Sequence, residues 1–301
     1  MTLNVVVPRC AVLLAAYNGK KWIDEQVLSI LGQRNVSVTI FISVDLSTDG
    51  TYAYLEEKYA SFNNVILLSY GNYFGGAGKN FFFLLRNVDF SSFDVVAFSD
   101  QDDIWFEDKL HIGSEKLIDY DFYSSNVTAF WVDGRDCLID KAQPQVQYDF
   151  IFEAAGPGCT YIMRTEAALD FKRFIFEKQD KVNQIVLHDW LLYAFARSNK
   201  YRWFIDMTPS MLYRQHANNQ VGANNSFSAA RKRLILIKNK WYRNEILKLV
   251  SLFDLEKFKI VKYGLLNGYL GNLYLILHVR QLRRRIRDQL ALALILFLNL
   301  F

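Results

Sequence analysis

The first hundred residues alternate between two hydrophobic periods. Uninterrupted apolar blocks, CAVLLAA (10–16), VSVTIFISV (36–44), NVILLSY (64–70) and FDVVAFS (93–99), read as strands. Without polar alternation, such strands fit burial on both faces of a sheet. Between them apolar residues recur at helical spacing. KKWIDEQVLSILGQ (20–33) places Trp22, Ile23, Val27, Ile30 and Leu31 in that pattern. Asp49-Gly50-Thr51 predicts the start of a second helix with Asp49 as its N-cap. A glycine-rich loop, GNYFGGAGKN (71–80), leads into FFFLLRNV. The order strand-helix-strand-helix-strand-helix-strand predicts an α/β fold with a mostly parallel central sheet and helices on both faces.

Beyond residue 120 the alternation weakens. FYSSNVTAFWVDGR (122–135) and KYRWFIDMTPSMLYRQH (200–216) read as strand material. GPGC (156–159) is a small-residue turn, and TEAALDFKRFIFEK (165–178) and HDWLLYAFARS (188–198) read as helices. Residues 226–262 read as basic amphipathic helix. YGLLNGYLGNLYLILHV (263–279) and QLALALILFLNLF (289–301) are apolar but fall short of a confident membrane span. The expected organisation is a catalytic domain over 1–222 and a helical C-terminal appendage over 223–301.

A chain of 301 residues, 51% hydrophobic, can bury one large domain and such an appendage. The net charge of +4 matters less than its placement, because RKRLILIKNKWYR (231–243) and RQLRRRIR (280–287) concentrate the basic residues. Basic beside apolar helix fits an anionic membrane surface; the alternative is a helical pair packed on the main domain. The expected location is therefore cytoplasmic, peripheral on the inner face of the cell membrane, with no nucleic-acid partner. Cys10, Cys137 and Cys159 are odd in number and widely spaced, which reads as reduced thiols rather than disulfides or a zinc site. The apolar N-terminus lacks a basic region before it and is interrupted by Pro8 and Arg9, so it reads as a first strand and not a signal peptide.

The acidic run in AFSDQDDIW (97–105) closes the fourth strand. In an open parallel sheet, ligands sit beyond the carboxyl ends of the strands. Asp100 and Asp102 are two apart and would face the same way in extended chain. Such a pair suits Mg²⁺ or Mn²⁺ arriving with a diphosphate. The alternative is a solvated turn, in which Asp103 caps the next helix. Tyr17 at the end of the first strand offers a stacking face, and Asp45 at the end of the second offers an acceptor for a base N–H. The loop GGAGKN fails the phosphate-loop pattern, with Tyr73 and Asn80 where glycine and Ser or Thr belong.

The set AAYNG, SVDLSTDGT, GGAGKNF, SDQDDIW, HDW and YRQH resembles family 2 glycosyltransferases of GT-A fold. Within them it is similar to the bacterial rhamnosyltransferase-like branch of polysaccharide synthesis. The resemblance spans about residues 9–220. It implies a nucleotide-sugar donor, a divalent metal and inversion at the anomeric carbon. Ala15, Tyr17, Asn18, Asp45, Lys79 and Asp100 would lie on the donor-nucleotide side. Asp100 and Asp102 would form a DxD motif, Asp102 the direct metal ligand, with His216 completing the coordination. Asp189 in HDW would be the base by the resemblance, whereas on sequence alone it reads first as a helix cap. Gly158, Trp190 and Arg214 would line the acceptor or diphosphate side, Trp190 as a platform or simply as core. The acceptor implied is a glycan on a lipid diphosphate, and the donor dTDP-rhamnose. The family usually reads Ser-Asp-Asp-Gly-Ser where this chain has Ser43-Val44-Asp45-Leu46-Ser47. That departure keeps open a non-catalytic binding subunit; a nucleotidyltransferase fits less well, because AAYNGKKW lacks a glycine-rich basic signature.

Overall fold

The structure, a computed structural model, describes residues 7–216, 235 and 239–301. The chain forms two compact units that interleave in sequence. The first comprises 1–142, 156–177 and 200–214; the second comprises 143–155, 178–199 and 215–301. This differs from a single cut at residue 222. Apolar periodicity shows that a helix face is buried, not which element buries it.

In the first unit the strands are β1 (Arg9–Ala16), β2 (Ser37–Val44), β3 (Val65–Leu67), β4 (Val95–Ser99), β5 (Ile104–Trp105), β6 (Phe122–Ser125), β7 (Val127–Phe130), β8 (Asp136–Ile139), β9 (Ile162–Arg164), β10 (Trp203–Asp206) and β11 (Met211–Arg214). Seven form one sheet in the order β10-β6-β9-β4-β1-β2-β3, and β5-β11-β7-β8 form a second. In the large sheet only β9 runs antiparallel to its neighbours, as the sequence pattern leads one to expect of a mostly parallel sheet. The centre is dry: Cys10 through Leu14 on β1 and Val96 to Phe98 on β4 are fully buried. Helices α1 (Ile23–Leu31) and α3 (Ala77–Asn87) bury Ile23, Val27 and Ile30, and Phe81, Phe82, Leu84 and Leu85. Each such side chain contributes about 1.5–3 kcal/mol on burial.

The register aligns Ala16 with Val44 and Leu14 with Ser99, so β1, β2 and β4 end on one rim. Strand β1 has β2 on one side and β4 on the other, which makes their carboxyl ends a topological switch point. Helix α2 (Thr51–Tyr59) begins one residue later than expected, at the left-handed Gly50, φ +80°. Asp49 still accepts the Thr51 N–H at 2.9 Å, so its capping chemistry is kept.

The second unit is helical. Its elements include α8 (His188–Ser198), α9 (Trp241–Leu252), α10 (Gly268–Leu277) and α11 (Ile286–Phe297). The expected continuous helix over 226–262 is not continuous: α9 stops at Leu252, a 3-10 turn covers Leu255–Lys257, and Ile260–Leu265 is a π-helix. Residues 217–234 and 236–238, which carry part of that expectation and the loop after His216, lie outside the described residues. No described helix is long and apolar enough to cross a membrane.

A buried polar network holds this unit. Asp149, fully buried, accepts from Tyr193 at 2.8 Å, Arg197 at 2.8 Å and Arg284 at 3.0 Å. Glu153 accepts the Arg284 backbone N–H at 2.7 Å. Two of the clustered arginines, Arg283 and Arg284, therefore face inward, contrary to their reading as contact surface. A string of arginines on a helical approach divides between faces, and charge counting alone does not divide it.

Candidate active site

Three loops meet on the rim. The turn after β1 carries Ala15, Tyr17 and Asn18. Ala15 is buried in the strand, whereas Tyr17 is 51% exposed and free to offer a ring face. Asn18 sits at φ +46°, a conformation asparagine tolerates, and its side chain accepts the Thr48 N–H at 2.8 Å. The Gly19 N–H goes to the buried Thr51 hydroxyl at 2.9 Å. The β1 and β2 loops are thus tied together before any ligand arrives.

Asp45 is 3% exposed and already engaged. Its carboxylate accepts backbone N–H groups from Leu46 at 2.8 Å, Phe74 at 2.9 Å and Gly75 at 3.0 Å. A carboxylate has about four acceptor positions, so one is left for a base. The acid expected to read the base also holds the glycine-rich loop. Asn80 donates to Ala16 and Ser43 carbonyls at 3.3 and 3.1 Å, bridging β1 to β2. Lys79 is exposed in the first turn of α3. Leu46, where the family has glycine, does not occupy a positive φ, so the substitution brings no backbone strain.

The acidic loop differs from its expected geometry. Strand β4 ends at Ser99 and the chain bends at Gln101 and Asp102, so the two-residue spacing no longer sets a common face. The ligand atoms gathered within 4.8 Å of one another belong to Asp100, Asp103 and Cys159. Asp103 caps no helix; it is fully buried and accepts the Arg214 N–H at 3.0 Å. Burial first, then the charges of Asp102 and Asp100, push its carboxyl well above the usual range. Burial first, then the charges of Asp103 and Asp100, push the Cys159 thiol up, so it stays a thiol. Beside them Lys109, also fully buried, donates to the Cys159 carbonyl at 2.7 Å and lies 3.8 Å from the Trp105 ring centre. Burial brings its ammonium down to about 7.

Of that cluster the Asp100 carboxylate is a hard oxygen donor that fits a divalent cation, and the charge of neighbouring Asp102 adds to the negative potential. Cys159 does not belong to such a donor set, being buried, protonated and soft.

Sequence reasoning overlooked Gln101. Its side-chain amide accepts the Tyr17 N–H at 2.8 Å and donates to the Tyr17 carbonyl at 2.7 Å. It therefore spans the switch point, joining the loop that carries the aromatic ring to the loop that carries the acids. A lone Gln between two aspartates gives no periodicity or charge signal that could have revealed this.

Arg214 is 9% exposed and clamps the acidic loop from β11. Its Nε donates to the Asp102 carbonyl at 2.7 Å, its Nη2 pairs with Glu25, and its guanidinium lies 4.7 Å from the Phe130 ring centre. Gly158 opens a buried 3-10 turn whose next residue is Cys159.

Asp189, Trp190 and His216 belong to the second unit. Asp189 stands in the first turn of α8 and accepts the Trp190 N–H at 2.8 Å. Trp190 is 4% exposed, donates its indole N–H to the Phe150 carbonyl at 3.0 Å and stacks on Tyr242 at 5.6 Å, which is the core reading and not the platform. His216 is half-buried.

Residues 11–167 match the family described as Glycosyl transferase family 2. The chain is a member of that family. Over 291 residues it is 49% identical to the dTDP-rhamnosyl transferase RfbG of Shigella flexneri, covering 96% of this chain and 100% of the relative. It is 24% identical over 238 residues to an uncharacterized glycosyltransferase of Nostoc, covering 74% of this chain and 68% of that one. Among solved structures, S. aureus TarS in complex with UDP aligns with a TM-score of 0.57 at 16% identity, over 96% of this chain and 89% of that one. The mannosyltransferase PcManGT from Pyrobaculum calidifontis, in complex with GDP-Man and Mn²⁺, aligns at 0.51 and 13% identity, over 97% and 86%. These likenesses establish the GT-A fold.

Proposed function

We propose that this chain transfers rhamnose from dTDP-rhamnose to a lipid-linked glycan in cell-surface polysaccharide synthesis, with inversion at the anomeric carbon. The observation that carries the reading is the 49% identity to a dTDP-rhamnosyl transferase over nearly the whole of both chains. The rim supports it with an exposed ring at Tyr17, an acceptor position left on Asp45 and the Asp100 carboxylate among the gathered ligand atoms. Tyr17 stacks on the base and Asp45 accepts its N–H. Asp102, with Asp100 and His216, would hold Mg²⁺ or Mn²⁺, and Lys79 and Arg214 would meet the donor's phosphates. A divalent ion there would supply Lewis-acid neutralisation of the leaving diphosphate. Asp189 takes the acceptor hydroxyl's proton as its oxygen bonds to C1 and the C1–diphosphate bond breaks. The 1–222 region carries this chemistry, and the C-terminal region keeps the enzyme at the inner face of the membrane, where such an acceptor resides.

The test is release of nucleoside diphosphate from a panel of nucleotide-sugars, with Mg²⁺ or Mn²⁺ and with chelator. dTDP should appear from dTDP-rhamnose and stop on chelation. No release from any donor, with lipid-linked acceptor present, would move the chain to a non-catalytic sugar-nucleotide-binding subunit.

A further inference from the structure

Within the second unit, α10 and α11 form a helical pair sealed along one side. Asn272 donates to the Leu296 carbonyl at 3.3 Å, Tyr269 to the Phe297 carbonyl at 3.1 Å, and Leu275, Leu292 and Leu296 are buried. The other side is open. Leu270 is 70% and Leu277 83% exposed on α10; Leu290 is 67% and Phe297 61% exposed on α11. Their spacing puts each set on one helical face. At about 1.5 Å per residue these helices of 10 and 12 residues are far shorter than a bilayer core of about 30 Å.

Along residues 257–301 the charge is one-sided. Lys262, Arg280 and Arg287 are exposed. From residue 257 to the end the sole acid is Asp288, which already pairs with Arg283 at 3.4 Å and Arg287 at 3.3 Å. A second copy of this chain would bring cationic rim against cationic rim. An anionic lipid surface satisfies both features at once: headgroups meet the lysine and arginines, and acyl chains meet the leucines.

We infer that the open face of α10 and α11 is a membrane-docking surface that lies in the headgroup region of an anionic bilayer. This deepens the membrane reading above and rests on it. The arginine cluster divides by function. Arg283 and Arg284 lock the unit through Glu153 and Asp149, while Arg280 and Arg287 meet lipid.

The test is flotation of the full chain with phosphatidylcholine vesicles, with and without phosphatidylglycerol. Binding is expected only with the anionic lipid, and salt should weaken it. Leu270→Asp with Leu290→Asp, and separately Arg280→Glu with Arg287→Glu, should each weaken it by roughly tenfold or more, since each basic residue near the surface contributes about 1 kcal/mol. Nucleotide release from soluble dTDP-rhamnose should be unchanged in both, which also shows that the variants fold. Equal binding to both vesicles, or full binding by both variants, overturns the inference. So does a vesicle-free dimer that the leucine variant dissolves, because a second copy would then cover the face. If nucleotide release is absent in the parent chain while the vesicle pattern holds, the transferase reading fails and the docking surface stands.

Discussion

At the scale of single residues, partnership decides more than residue type. Asp45 was legible as an acid at a strand end, but not as the anchor of a loop some thirty residues on, because sequence shows what a side chain offers and not what has taken it. Gln101 is the sharper case. Its amide exchanges two hydrogen bonds with the Tyr17 backbone, and Gly19 leaves the space it needs: a Cβ at position 19 would lie 2.0 Å from Gln101 Oε1. Two bonds at about 0.5–1.5 kcal/mol each couple the aromatic loop to the acidic loop. Gln101→Ala should raise the donor KM about tenfold. Gly19→Ala should do the same by expelling the amide. In the Gln101→Ala background, however, the added methyl has room, so the second loss should largely disappear. Steady-state nucleotide release on the four proteins closes this cycle, and simply additive losses would sink the bridge.

At the scale of elements, the four leading strands and the helices between them were readable, because a strand buried on both faces and an amphipathic helix have distinct periods. The short strands β5, β7, β8 and β11 were harder, since two to four residues carry no period. The bend at 101–102 was not readable at all, and it cost the inference that Asp100 and Asp102 share a face. Helix α8 poses a separable question, because its N-cap is Leu187 and not Asp189, whose first-turn carboxylate can serve the helix dipole, the chemistry or both. Its carboxylate accepts the Trp190 N–H, and asparagine preserves that acceptor. Asp189→Asn should therefore keep the fold and the donor KM while lowering kcat by about 100-fold or more, the usual contribution of a general base. Asp189→Ala should lose stability as well. An Asp189→Asn enzyme with normal turnover and inverted product would remove Asp189 from the chemistry and leave it as a first-turn helix residue.

At the scale of the whole molecule, the buried ammonium of Lys109 makes stability depend on pH with a definite sign. Burial lowers its pKa from 10.5 to about 7 in the folded chain. Below pH 7 folded and unfolded chains both hold the proton, and the penalty for burying a charged amine is fully present. Between 7 and 10.5 the folded chain has released the proton while the unfolded chain retains it, so rising pH favours folding. The slope approaches about 1.4 kcal/mol per pH unit. Cys10 works the other way at higher pH, because burial raises its thiol from 9.0 to about 12 and the unfolded chain loses that proton first. The informative window is therefore pH 7 to 9, and the informative quantity is a difference. Lys109→Met keeps a long apolar stem against Trp105 and carries no titrating group. The stability of the parent chain relative to Lys109→Met should rise across that window, read as the separation of their urea midpoints at each pH. Parallel profiles would mean that Lys109 keeps its proton inside the fold. The acids beside it would then be balanced by a permanent internal cation, and the case for a divalent ion at this rim would weaken with it.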